Sequence, residues 1–150
     1  MTIYLDDFAA GQVFTSVGRT VTEADIMNFA GVSGDFNQLH INEQWVTANT
    51  PFRGRIAHGL LVLAMSSGLA TPGLDDVEVI AYLEASRKFV GPTYPGDTMH
   101  TVTTVLDTRP SRSRPGMGVL TTSVEVVNQH GEVVQTGTDA VMITTRPEDA

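Results

Sequence analysis

The hydropathy pattern changes period part-way along the chain. From Thr22 to Ala70 apolar residues recur at helical spacing, and from Val77 onward Val, Thr and Ile dominate long strand-like runs. Thr22-Glu-Ala-Asp25 forms a capping-box variant, with aspartate where glutamate is usual, and Ile26, Phe29 and Ala30 follow at i, i+3 and i+4. Gly31 and Gly34 are expected to end this helix. Asn42 is expected to cap a short second helix carrying Trp45 and Val46, which Asn49-Thr50-Pro51 closes. The segment AHGLLVLAMSSGLA, Ala57 to Ala70, is apolar on nearly every side and predicts a helix buried all round. Four strand stretches come next: VEVIAYLEASRKFV, TMHTVTTVLDTR, GVLTTSVEVVNQ and EVVQTGTDAVMITT, with Asn128-Gln-His-Gly131 as the turn between the last two. With an early strand around Gln12 to Thr20, the pattern predicts an α+β fold. About five antiparallel strands, mostly joined as hairpins, wrap round one long buried helix.

Composition narrows the field. The 150 residues suit one domain, 1–150, large enough to fold without staples. There are no cysteines, which excludes disulfides and thiolate metal sites. Nine Lys and Arg against seventeen Asp and Glu give a formal charge of −8, which repels a nucleic-acid backbone and argues against such a partner. The opening MTIYLDDFAAGQ lacks a basic segment followed by an apolar one, and the longest apolar run, Leu60 to Met65, is too short to span a membrane. A soluble cytoplasmic protein is the expectation. Basic clusters at Arg53 and Arg55, at Arg87 and Lys88, and at Arg109, Arg112 and Arg114 are most simply solvated surface.

The stretch SGDFNQLHINEQW, Ser33 to Trp45, interrupts the helical pattern with an acid, an amide and an imidazole. From the residues alone, Asp35 caps a turn, Asn37 makes a local hydrogen bond and His40 is a half-buried, satisfied side chain. A metal site is the other local option, but two ligands without cysteine or an HExxH spacing support it poorly.

SGDFNQLH resembles the signature of MaoC-like proteins and R-specific enoyl-CoA hydratases, G-D-x-N-P-[LIV]-H. RIAHGLLVLAMSSGL resembles the central helix of the same family, and RKFVGPTYPGDTM resembles its next strand and turn. The resemblance implies a hot-dog fold working as a homodimer or larger homo-oligomer, with a substrate tunnel near the interface. It implies reversible hydration of a trans-2-enoyl thioester to an R-3-hydroxyacyl thioester, with Asp35 and His40 as the acid/base pair on a bound water. Gly59, at the helix start, is placed to give a backbone N–H to the thioester oxygen. Ser66 matches a serine beside the family's active site, Asn37 is a candidate for orienting the loop or the water, and His58 is assigned to shaping the helix start. Neither metal nor cofactor is implied beyond coenzyme A or acyl carrier protein as the thioester carrier. Arg87, Lys88, Arg112 and Arg114 are candidates for the phosphates of coenzyme A. The chain departs from the signature at Gln38, where the family has proline, which puts loop rigidity and substrate identity in question. A hot-dog thioesterase and a silent thioester-binding subunit remain the competing readings.

Overall fold

The computed structural model describes residues 2–147. A single 3-10 turn, Leu5–Asp7, precedes two short strands, β1 (Val13–Thr15) and β2 (Arg19–Thr20). Four helices follow: α1 (Glu23–Ser33), α2 (Gln38–Ile41), α3 (Glu43–Asn49) and α4 (Gly59–Ser67). The chain then runs through β3 (Val79–Phe89), β4 (Thr98–Pro110), β5 (Met117–Val127) and β6 (Val133–Thr144). These make one six-stranded antiparallel sheet in the order β1-β4-β5-β6-β3, with β2 also on β4. The Gln12 to Thr20 stretch gives two strands instead of one because the ladder breaks after Ser16: its amide still donates to the Thr101 carbonyl, but the Thr101 amide bonds to Ser16 Oγ and the next amide, Val17, turns to the Ala70 carbonyl.

The capping box forms as the sequence predicts. Thr22 Oγ1 accepts from the Asp25 amide at 3.1 Å, and the Asp25 carboxylate accepts from Thr22 N–H at 2.8 Å and Thr22 O–H at 2.7 Å. Those Thr22 hydrogen bonds, aided by Arg19, hold Asp25 below the usual carboxylate range. Gly31 stays inside α1, and Gly34 ends it in the left-handed conformation at φ 76°.

Helix α4 is shorter than the Ala57–Ala70 stretch. The Ala57 amide bonds to the Thr93 carbonyl and stays outside the helix, and Gly68 closes it. Leu61, Val62, Met65 and Ser66 are buried towards the sheet, whereas Leu60 is 61% exposed and Ala64 and Ser67 share its open face. The expected all-round burial is thus not met within one chain. The core beneath α4 joins Val62 and Met65 to Val21, Ile26, Met99, Val126 and Val134, each such side chain contributing roughly 1.5–3 kcal/mol of hydrophobic stabilisation. A second cluster centres on Leu5, Val105, Leu120 and Ile143. No helix among the described residues is long and apolar enough to cross a membrane.

Strand β3 is a sheet edge, and its register against β6 shifts between Tyr82 and Glu84. Ala85 lies opposite Asp139 and Tyr82 opposite Val141, so this bulge turns Tyr82 to the face that carries Ala85, Arg87 and Phe89.

Candidate active site

Helix α1 ends at Gly34, and the chain is then tied down residue by residue. The Asp35 amide bonds to Ser33 Oγ at 3.2 Å, and Asp35 Oδ1 accepts from the Asn37 amide at 3.1 Å. The Asp35 carbonyl accepts from His58 Nε2 at 2.9 Å. That leaves Asp35 Oδ2 turned to His40 Nε2, 3.8 Å away.

His40 sits on α2, which no helical period in the sequence announced. Asn37 caps this single turn by accepting from the Leu39 amide. His40 Nδ1 lies 2.7 Å from the Ile56 carbonyl, and the Ile56 amide returns a bond to the Leu39 carbonyl, so α2 is fastened to the segment that leads into α4. A carbonyl can only accept, so Nδ1 carries the proton and Nε2 presents its lone pair to Asp35. His40 is 8% exposed, and burial lowers its pKa against the opposing pull of the Ile56 bond; the neutral, basic imidazole is favoured. The Asp35 side chain is 51% exposed in the single chain.

His58 does more than shape the helix start. Its ring stacks on His40 with centroids 3.7 Å apart, its other neighbour is Phe29, and its Nε2–H holds the Asp35 backbone. It caps α4 without using its side chain for the cap. The first amide of α4 with a helical acceptor is that of Val62, bonded to the His58 carbonyl, so the Gly59 to Leu61 amides are left without one. Gly59 lines the same cavity of about 420 Å³ as Asp35 and His40. A side chain at Gly59 would meet the Phe89 ring at 2.9 Å, so glycine lets that ring lie this close to the helix start. Gln135, from β6, donates to the Gly59 carbonyl at 2.7 Å and fixes the helix start from the sheet side. The sequence reading missed Phe89 and Gln135; a polar residue directly after Val133 and Val134 was the available signal, but only the strand register turns it to this cavity.

Asn37 and Ser66 do not line this cavity. The Asn37 amide serves the α2 cap. Ser66 donates to the Leu63 carbonyl and lines a different cavity beyond the other end of α4. At Gln38, the position of the signature proline is the first residue of α2, where proline suits a helix and where glutamine loses nothing essential. Gln38 Oε1 accepts from Asn42 Nδ2 at 2.8 Å, and Asn42 caps α3, so the amide braces the two short helices and is not turned to a ligand.

Of the basic candidates, Arg87 is excluded as an open phosphate site: its side chain is 2% exposed and pairs with Asp139. Arg112 and Arg114 lie in the β4–β5 connection, at the opposite end of the sheet from Phe89 and Gln135. Arg53, 71% exposed and stacked 4.1 Å above the Tyr94 ring, lines a cavity of about 530 Å³ that shares Gly91 and Pro92 with the Asp35–His40 cavity. For a metal, Asp35, His40 and His58 place ligand atoms within 4.8 Å of one another. The stacked imidazoles send their in-plane lone pairs along planes only 25° apart, so the two do not converge on one ion.

Residues 7–129 match the MaoC like domain family. The chain belongs to that family. It is 36% identical over 141 residues to the uncharacterized protein YdeM of Bacillus subtilis (strain 168), covering 93% of this chain and 97% of that protein. It is 34% identical over 143 residues to an (R)-specific enoyl-CoA hydratase of Rhodospirillum rubrum, covering 95% and 93%. In fold it matches a double hot-dog protein of Mycobacterium tuberculosis, with a TM-score of 0.84 over 98% of this chain and 46% of that one, at 24% identity. The sheet curled against α4 is a hot-dog fold.

Proposed function

We propose that this chain hydrates a trans-2-enoyl thioester to the R-3-hydroxyacyl thioester, and catalyses the reverse dehydration. The observation that carries the reading is the separation of 3.8 Å between Asp35 Oδ2 and His40 Nε2 beside the start of α4. The carboxylate oxygen and the imidazole lone pair both face the gap as acceptors, and a water within about 2.8 Å of each can donate one hydrogen to each. Its oxygen lone pair is then left for C3. As the O–C3 bond forms, the C2=C3 π pair moves towards the thioester, and the free amides at Gly59 and Leu60 meet the charge on its oxygen. The water's proton passes to the pair and on to C2, so H and OH are added across the double bond.

The exposed faces support a second copy of this chain as partner. β3 pairs only with β6 among the described strands, and its Val79, Tyr82 and Leu83, with Leu60 of α4, are open in one chain. The carrier's phosphates are assigned to Arg53, next to the catalytic cavity, in place of Arg112 and Arg114. The deciding test is product analysis after incubation with an enoyl-CoA. Formation of the R-3-hydroxyacyl-CoA without thiol release supports hydration; thiol release without a hydroxy product supports a thioesterase and overturns it.

A further inference from the structure

Helix α4 ends over a second cavity of about 230 Å³, away from the catalytic one. Gly59 lines the first and Ser66 the second, seven residues or roughly 10 Å along the helix. The strands repeat the relation: Phe89 and Gln135 face the first, while Arg87 and Asp139, on the same faces of β3 and β6, line the second. Granted the hydratase reading, a thioester held at Gly59 sends its acyl chain along α4 towards this second cavity.

The walls there are not those of a hydrocarbon slot. Thr101, Thr103 and Thr122 are 5, 8 and 7% exposed, and their hydroxyls bond to no other described residue. Arg87 meets Asp139 through two bonds of 2.6 and 2.7 Å, and its Nε is buried without an acceptor. The β3 bulge brings Tyr82 to the same wall. Burial and the hydrogen bond to the Asp139 carboxylate push its phenol up to about 12, so the phenol keeps its proton and joins the Arg87–Asp139 pair. Buried polar groups in folded proteins are almost always hydrogen-bonded, and here several converge on one space beside the path of the chain. Asp75 lines the cavity as well, which sets two carboxylates against one guanidinium and disfavours an anionic tail.

With the acyl tail in this cavity, we propose that the cavity selects a chain bearing an uncharged hydroxyl near its far end. The hydroxyl accepts from the threonine O–H groups and donates to Asp139.

The test is binding of saturated acyl-CoAs, which cannot turn over, compared by calorimetry with and without an ω-hydroxyl at equal chain length. The hydroxylated probe is expected to bind about tenfold more tightly, the scale of one good buried hydrogen bond. The preference is expected to fall towards unity in Thr101→Val and in Thr122→Val, which leave the Arg87–Asp139 pair in place. Equal affinity, tighter binding of the plain chain, no binding of either probe, or a preference intact in both variants overturns the proposal. Crotonyl-CoA is too short to reach this cavity, so its hydration separates the two claims. Normal, Asp35-dependent hydration with no tail preference removes the subsite and keeps the hydratase. Absence of hydration counts against the hydratase reading, and the calorimetric preference still decides the subsite.

Discussion

His58 stacks on His40 at 3.7 Å between ring centroids while its Nε2–H holds the Asp35 carbonyl at 2.9 Å. One side chain therefore positions both members of the proposed acid/base pair. His58→Phe keeps a ring against His40 and removes the bond to Asp35. It is expected to lower kcat about tenfold with KM little changed, a loss of one hydrogen bond's worth of positioning. In an Asp35→Asn background the same change is expected to cost little more, because it acts through Asp35. A full additive loss would assign His58 an independent role.

Burial lowers the His40 pKa below 6.5 in the folded chain, so the neutral base survives into mildly acidic solution. The acid limb of kcat is expected below pH 6.5, and an NMR titration of His40 should give the same midpoint. The unfolded state binds the proton first as pH falls, so the contribution to stability is fully present above 6.5 and is lost as pH drops from there through the folded-state pKa. A limb above 6.5 would contradict the environment described.

Gly59→Ala places a methyl 2.9 Å from the Phe89 ring. The expected cost is about 1–3 kcal/mol in urea unfolding, the range for overpacking. Gly59→Ala with Phe89→Ala should recover most of it. If the double variant is no more stable than the single, close approach to Phe89 is not the reason for glycine.

Gln38→Pro restores the residue of the family signature at the first position of α2. It loses the bond to Asn42 and gains a fixed φ worth about 0.4–1 kcal/mol. Thermal unfolding and hydration rate are expected to stay close to those of the unsubstituted chain. A severe loss of either would mean that the Gln38–Asn42 brace is required by this loop.

The elements that could be read from sequence are those set by local chemistry. The Thr22–Asp25 box, the Asn42 cap and the Asn128 to Gly131 turn use side chains that bond within a few residues, and all three form. The four long strands follow from their Val and Thr content. What could not be read depends on distant partners. α2 is one turn held by Ile56, the role of His58 depends on a carbonyl 23 positions away, and the face of β3 on which Tyr82 lies depends on a bulge. Asp35 and His40 stood out as residue types, but their facing geometry needed the α4 approach, which no period encodes. Arg87 shows the converse: next to Lys88 it reads as surface charge, yet alternation turns it inward onto Asp139.

The most direct measurement is the loss of enoyl absorbance when the purified chain meets crotonyl-CoA, with Asp35→Asn and His40→Gln measured alongside and their folds checked by circular dichroism. The paired-base account predicts turnover by the unsubstituted chain and a fall of about 10²–10⁴-fold in each variant with the fold retained. Turnover that survives either substitution would contradict it.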